Sequence, residues 1–298
     1  MRIGFIGLGK MGSRMAERLL GQGFEVVLYA RRPDSMTALA GKGAVPTGSY
    51  REFCERLPAP KMIFLMVTHG KPVDEVINGL GPFLAAGDII VDCGNSFYKD
   101  SIRRAKSLAK RGIHFLDAGT SGGLEGAANG ASIMVGGNRQ AFDAVEPAFR
   151  ALAVPGGYAW LGGSGAGHFV KMVHNGIEYS LLQAYGEGYA LLEKSKYRLD
   201  LREVTRVFRN GSVIRGWLMD LLSQSLASDP KLSRHRGVVG GGGTGKWALD
   251  TAKEYKLKMP MLEQAMKARK RSFSKPDFST KVVAALRSMF GGHEEPKK

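Results

Sequence analysis

A short apolar run, Ile3–Ile6, stops at Gly7-Leu8-Gly9-Lys10-Met11-Gly12, and a helical pattern begins. No other stretch restricts the fold so strongly. Gly7 permits a tight turn after a strand, Gly9 lets backbone approach a pyrophosphate, and Gly12 lets the following helix pack closely on that strand. The pyrophosphate then faces the N–H groups at the helix start. Residues 1–163 are therefore expected to form a dinucleotide-binding domain of the Rossmann type. The continuation agrees. A helix is expected over Lys10–Gly21, and strands over Glu25–Tyr29, Met62–Val67, Ile89–Asp92, His114–Ala118 and Ser132–Gly136. Strands that alternate with helices predict an α/β domain with a mostly parallel, doubly wound sheet.

The end of the second strand bears on which dinucleotide binds. An NAD site would carry Asp or Glu there for the ribose 2′-hydroxyl. This chain reads Leu28-Tyr29-Ala30-Arg31-Arg32-Pro33. Arg31 and Arg32 stand where a 2′-phosphate would lie, and guanidinium is its natural bidentate partner. NADP is expected, with NAD possible.

After about Gly163 the strand signals stop. Helical periods run over His168–Lys194, Leu201–Arg209, Ser212–Ser225, Trp247–Tyr255, Met259–Phe273 and Ser279–Phe290. Residues 164–298 are expected to form an all-α domain ending in a tail with little of its own to pack on. The first of these helices carries Lys171, His174, Asn175 and Glu178 at i, i+3, i+4 and i+7, which stacks them on one face. Phe169, Met172, Val173 and Ile177 form an apolar stripe, expected to be the packed face. An amine, an imidazole, an amide and a carboxylate side by side suit proton transfer on a polar substrate. Gly165, Gly167 and Gly176 cost a helix roughly 1 kcal/mol each in interior positions, so close approach of another backbone or a ligand is expected.

The net charge is +16. Its basic residues are scattered and not interleaved with aromatics, so a phosphorylated small molecule fits better than nucleic acid. No apolar run is long enough for a membrane span. The start reads as a strand instead of an export signal. Cys54 and Cys93 form neither a disulfide framework nor a metal site, which suits a reducing cytoplasm.

GLGKMG, DCGNSFYKD (92–100), AGTSGG (118–123), GAGHFVKMVHNGIEY (165–179), GGTGKW (242–247) and VVAALRSMFGGH (282–293) occur in this order. In these motifs the chain resembles the decarboxylating 6-phosphogluconate dehydrogenases in their short form, within the β-hydroxyacid dehydrogenases. The resemblance implies oxidation of 6-phospho-D-gluconate to ribulose 5-phosphate and carbon dioxide in the pentose phosphate pathway, without a metal. It makes Lys171 the general base, which needs a depressed pKa to be neutral, and Glu178 the acid that protonates C1 of the enediol. It makes His174 and Asn175 substrate ligands and puts Asn95 between cofactor and substrate. Ser121, Gly122 and Gly123 would meet the substrate carboxylate and nearby hydroxyls, and Val67, Thr68 and His69 would line the cofactor. Tyr179 and Arg269 would hold the phosphate. Arg287 and His293 would reach it from a neighbouring subunit's tail, in a homodimer or homotetramer with tail exchange.

One position departs from the pattern. Where the long enzymes carry a phosphate-binding lysine this chain has Gly242, so Thr244, Lys246 or the backbone of Gly240–Gly243 would have to help. Two other functions are compatible with the residues. One is a dehydrogenase for a small non-phosphorylated acid of the 3-hydroxyisobutyrate or glycerate type. The other is a non-catalytic dinucleotide-binding module, which would be expected to lack Lys171.

Overall fold

The computed structural model describes residues 1–296; residues 297 and 298, at the end of the expected second domain, lie outside the described residues. The chain forms two compact units that meet between Met172 and Val173. This junction falls inside a helix, a few residues beyond the boundary expected at 163.

The first unit is built on one eight-stranded sheet. Its strands are β1 (Arg2–Ile6), β2 (Glu25–Tyr29), β3 (Val45–Pro46), β4 (Met62–Leu65), β5 (Ile89–Asp92), β6 (His114–Ser121), β7 (Ala131–Gly136) and β8 (Ala153–Gly162). Their order is β3-β2-β1-β4-β5-β6-β7-β8. The pairs are parallel except β6 with β7. The helices are α1 (Gly12–Gly21), α2 (Asp34–Ala40), α3 (Tyr50–Glu55), α4 (Lys71–Leu80), α5 (Tyr98–Ala109), α6 (Gly123–Asn129) and α7 (Arg139–Leu152). Alternation along the strands feeds both faces of the sheet. Ile3, Phe5, Phe64 and Val91 join one core, while Ile6, Ile63, Leu65 and Ile90 join the other. The strand progression reverses between β1 and β4. In open sheets of this kind ligands bind beyond the carboxyl ends of the strands at that reversal.

Helix α8 (Ala166–Glu193) begins in the first unit and continues into the second. There it is followed by α9 (Leu201–Arg209), α10 (Trp217–Ser228), α11 (Gly243–Glu254), α12 (Pro260–Ser272) and α13 (Phe278–Gly291). Leu182 and Tyr189 of α8 share a core with Met219 and Leu222 of α10 and Val282, Val283 and Leu286 of α13. Gly186 lets α8 approach α13, since a Cβ there would come within 2.5 Å of the Ser279 carbonyl oxygen.

Several expectations need correction. β8 is not among the expected strands; it contains Pro155-Gly156-Gly157, and an edge strand tolerates proline. The helix expected from Ser212 starts only at Trp217, after Gly216 with φ 158°. The helix expected from Trp247 starts earlier, at Gly243, so the glycine run opens it. On α8 the period is right, but Ile177 does not pack. Its exposure is 56%, and Val170, Leu181 and Leu191 are also exposed. Met172 is covered as expected, and the other covered positions are Lys171, Asn175, Leu182 and Tyr189.

Candidate active site

The turn after β1 has the geometry of an anion cradle. Gly7 has φ +98°, and a Cβ there would clash with the Met66 carbonyl. A Cβ at Gly12 would clash with the Gly7 carbonyl, whereas one at Gly9 would meet nothing within 4 Å. Two glycines are thus needed for packing, and the third leaves room for a ligand. Helix α1 has no side-chain cap at Met11 and no acid in its first turn, so its first N–H groups suit a pyrophosphate. A groove of about 660 Å³ opens here, and its walls include Gly7, Leu8, Gly9, Arg31, Arg32, Val67 and Thr68. Both arginines are exposed. Lys10, Met11 and Gly12 follow at the turn into α1. His69 and Asn95 are not in the groove walls. The chain turns away at Gly70, φ +83°, into α4.

The start of α8 is pinned to β6 and β7. A Cβ at Gly167 would clash with the carbonyls of Asp117 and Met134, so this glycine is required by close approach. Asp117, fully buried, accepts from the Gly165 N–H at 2.7 Å and the His168 N–H at 2.9 Å. It thereby caps the helix from a neighbouring strand. Burial pushes the Asp117 carboxyl up, while His168 and these two N–H donors pull against it. Lys171 is 7% exposed. Its stem lies against Gly119, where a Cβ would clash with it. Asn175 is also buried, and its Oδ1 lies 3.1 Å from Nδ1 of His174. Ser121 ends β6, and Gly122 (φ +117°) and Gly123 (φ +61°) turn the chain into α6.

The second unit holds a cationic cluster. Tyr179 on α8 stacks against Arg269 on α12, whose guanidinium carbon is 3.5 Å from the ring centroid. Arg269 is 4% exposed, and neither Nη1 nor Nη2 has a hydrogen-bond partner. Burial, reinforced by the Arg287 cation and opposed by Tyr179 and Glu178, lowers its pKa to about 10. Arg287 on α13 is lowered too, again mainly by burial. Its Nη2 would lie 3.3 Å from a Cβ on Gly241, and a Cβ on Gly245 would lie 2.9 Å from the Tyr179 ring. Gly241 and Gly242 have φ +76° and +120° and lead into α11, where Thr244 is buried.

The tail is held in its own chain. His293 packs edge-on against Phe290. Glu295 accepts from the N–H groups of Arg236 at 3.0 Å and Val238 at 2.9 Å. α13 buries Val282–Leu286 in its own unit's core, which sets Arg287 beside Arg269.

Among the described residues there is no cluster of three or more potential metal ligands, and no helix long and apolar enough to cross a membrane.

Comparison with known proteins decides the family. The NAD binding domain of 6-phosphogluconate dehydrogenase matches residues 2–162, and that enzyme's C-terminal domain matches residues 167–196. The chain belongs to the 6-phosphogluconate dehydrogenase family. A Bacillus subtilis protein named provisionally as a 6-phosphogluconate dehydrogenase is 45% identical over 100% of both chains. The NAD(+)-dependent, decarboxylating 6-phosphogluconate dehydrogenase of Haloferax volcanii is 41% identical over 100% of this chain and 99% of its own. The Plasmodium falciparum 6-phosphogluconate dehydrogenase, solved with NADP+ and with 6-phosphogluconate, superposes with a TM-score of 0.84 at 28% identity. That match covers 97% of this chain and 70% of the other.

Within this 6-phosphogluconate dehydrogenase fold, sequence reasoning missed Asp117, Asp92 and Arg104. Asp92 is fully buried, accepts from Gly94 N–H at 3.0 Å and Ser96 Oγ at 2.7 Å, and so shapes the segment carrying Asn95. Arg104 joins Asp74 at 2.8 Å and the Gly70 carbonyl at 2.9 Å. For the two aspartates the available signal was a carboxylate set among the apolar residues of a buried strand.

Proposed function

We propose that the chain catalyses NADP-linked oxidative decarboxylation of 6-phospho-D-gluconate to D-ribulose 5-phosphate and carbon dioxide. The observation that carries this reading is Arg269, a buried cation with two unpartnered nitrogens beside Tyr179 and Arg287. Burying an unpaired charge is costly, and a phosphate dianion supplies what is missing. A non-phosphorylated 3-hydroxy acid would leave Arg269 as it is.

The glycine turn and the start of α1 would hold the pyrophosphate, with Arg31 and Arg32 on the 2′-phosphate. When bound, the dinucleotide supplies the hydride acceptor. Lys171 Nζ takes the proton of the C3 hydroxyl as the hydride leaves. Protonated, it then donates to the ketone oxygen while the carboxylate is lost, so negative charge develops beside a cation. The Glu178 carboxyl delivers a proton to C1 of the enediol. Asn95, Ser121, Gly122, Gly123, His174 and Asn175 orient the hydroxyls and the carboxylate. Tyr179, Arg269, Arg287 and the turn before α11 hold the phosphate, with His293 nearby on the tail. NADP is the preferred cofactor and NAD the alternative, a preference that rests on this chain's own Ala30-Arg31-Arg32.

Association as a homodimer or homotetramer is part of the proposal, supported by the exposed apolar side chains Ile177, Leu181 and Leu191 of α8. Exchange of tails would have to undo the Glu295 and Arg287 contacts within one chain. A cytoplasmic location suits the two buried thiols, of which Cys54 is pushed up to about 11 by burial.

Lys171→Ala tests the chemistry. It should lower kcat by at least about 10²-fold, the scale of general acid–base help, and leave dinucleotide binding intact. A loss under about tenfold would assign the base to another group. Unchanged solvent-tritium incorporation at C1 in Glu178→Gln would contradict the role of Glu178.

A further inference from the structure

His168 stands in the first turn of α8, three residues ahead of Lys171. It is 1% exposed, and no role has yet been given to its ring. Its Nδ1 lies 2.7 Å from Oγ of Ser101, a buried residue on the inner face of α5. The same Oγ reaches the Phe97 carbonyl at 3.4 Å. A hydroxyl has one proton to give. With that proton on the Phe97 carbonyl, His168 Nδ1 carries its own proton and donates to Ser101. Nε2 is buried without a partner.

Phe97 closes the segment 93–97, whose opening end is already fixed by Asp92 through Gly94 and Ser96. That segment carries Asn95. The hydrogen bonds from His168 through Ser101 to Phe97 thus connect the first turn of the helix bearing Lys171 with the loop bearing Asn95. A ring contact runs alongside, with Tyr98 edge-on to Phe169 at 5.3 Å.

We propose that His168 and Ser101 are positioning residues that hold Lys171 in register with Asn95, the two groups placed on the reacting end of the substrate. This rests on the function proposed above. Neither residue touches substrate.

The test compares three substitutions in the full-length enzyme. The amide nitrogen of Asn stands where Nδ1 stands; that of Gln stands nearer Nε2. His168→Asn should keep kcat within about threefold of wild type, whereas His168→Gln and His168→Leu should lower it by roughly ten- to a hundredfold, the scale of a small misplacement at a reacting centre. KM for 6-phosphogluconate and Kd for NADP should stay near wild type. The isotope effect with substrate deuterated at C3 should grow as hydride transfer becomes limiting.

Ser101→Ala, which removes only a hydroxyl, should follow His168→Leu. A readout independent of turnover is amide hydrogen exchange. Residues 93–97 should exchange faster in His168→Leu and Ser101→Ala and as in wild type in His168→Asn. Equal kcat for the Asn, Gln and Leu variants, or unchanged exchange at 93–97, would overturn the proposal. If wild type fails to turn over 6-phosphogluconate, the functional reading falls while the exchange comparison still decides the connection.

Discussion

Arg269 lays its guanidinium 3.5 Å from the centre of the Tyr179 ring and keeps both terminal nitrogens buried with no hydrogen-bond partner. A cation–π contact offsets part of the desolvation but gives those nitrogens no acceptor. The folded protein disfavours this charge, as its pKa of about 10 records. In sign, the cost is present in full below about pH 10 and is relieved as pH rises toward the ordinary arginine value, because the unfolded chain then binds the extra proton.

Arg269→Met should therefore leave the ligand-free Tm unchanged or raise it, since apolar replacement of an unpaired buried charge is often stabilising. The same substitution should abolish the Tm increase that inorganic phosphate gives the wild type, and raise KM for 6-phosphogluconate by over about tenfold, the loss of a charge-assisted hydrogen bond. A lower Tm with phosphate protection retained would show that Arg269 serves packing alone.

Gly167→Ala should destabilise the first unit by about 1–3 kcal/mol, because its Cβ would meet two backbone carbonyls, those of Asp117 and Met134, which have nowhere to move. Thermal or urea unfolding measures it. A wild-type midpoint would mean that the start of α8 is not pinned as described.

Arg31→Ala and Arg32→Ala should each raise KM for NADP and leave KM for NAD unchanged. Both side chains are exposed, so screening keeps each effect near the low end of the roughly 1.5–3 kcal/mol seen for hydrogen bonds to charged groups. Ala30→Asp combined with Arg31→Ser should move preference toward NAD. A wild-type kcat/KM equal or higher with NAD would contradict the NADP assignment.

Mixing an Arg287→Ala chain with a Lys171→Ala chain separates two arrangements of the phosphate site. Arg287 sits beside Arg269 in one chain, so mixed oligomers should show no more activity than the sum of the separate variants. Recovered activity, with subunit exchange verified, would mean that α13 is exchanged between subunits.

What could be read from the sequence was local. The three glycines of residues 7–12 act within one turn, and Gly7 and Gly12 reappear in the tight turn and the close packing that their spacing implies. The period of α8 likewise places Lys171, His174, Asn175 and Glu178 together. What could not be read was long-range. Asp117 capping α8 joins residues some fifty positions apart, and nothing in either segment announces the other. Periodicity separates the two stripes of a helix without telling which is covered, which is why Ile177 is exposed and Lys171 buried. Gly240–Gly243 reads as a break, yet its last glycine starts α11, because position 242 needs a φ of +120° that glycine alone adopts easily. The tail's attachment through Glu295 is invisible for the same reason as the Asp117 cap.

The most direct test of the proposed function is a single assay on purified wild-type protein with 6-phosphogluconate and NADP, following reduction of the dinucleotide and release of carbon dioxide together. The expected result is one carbon dioxide per dinucleotide reduced, with ribulose 5-phosphate as product and no turnover of unphosphorylated gluconate at the same concentration. Reduction without carbon dioxide release, or equal turnover of an unphosphorylated 3-hydroxy acid, would contradict it.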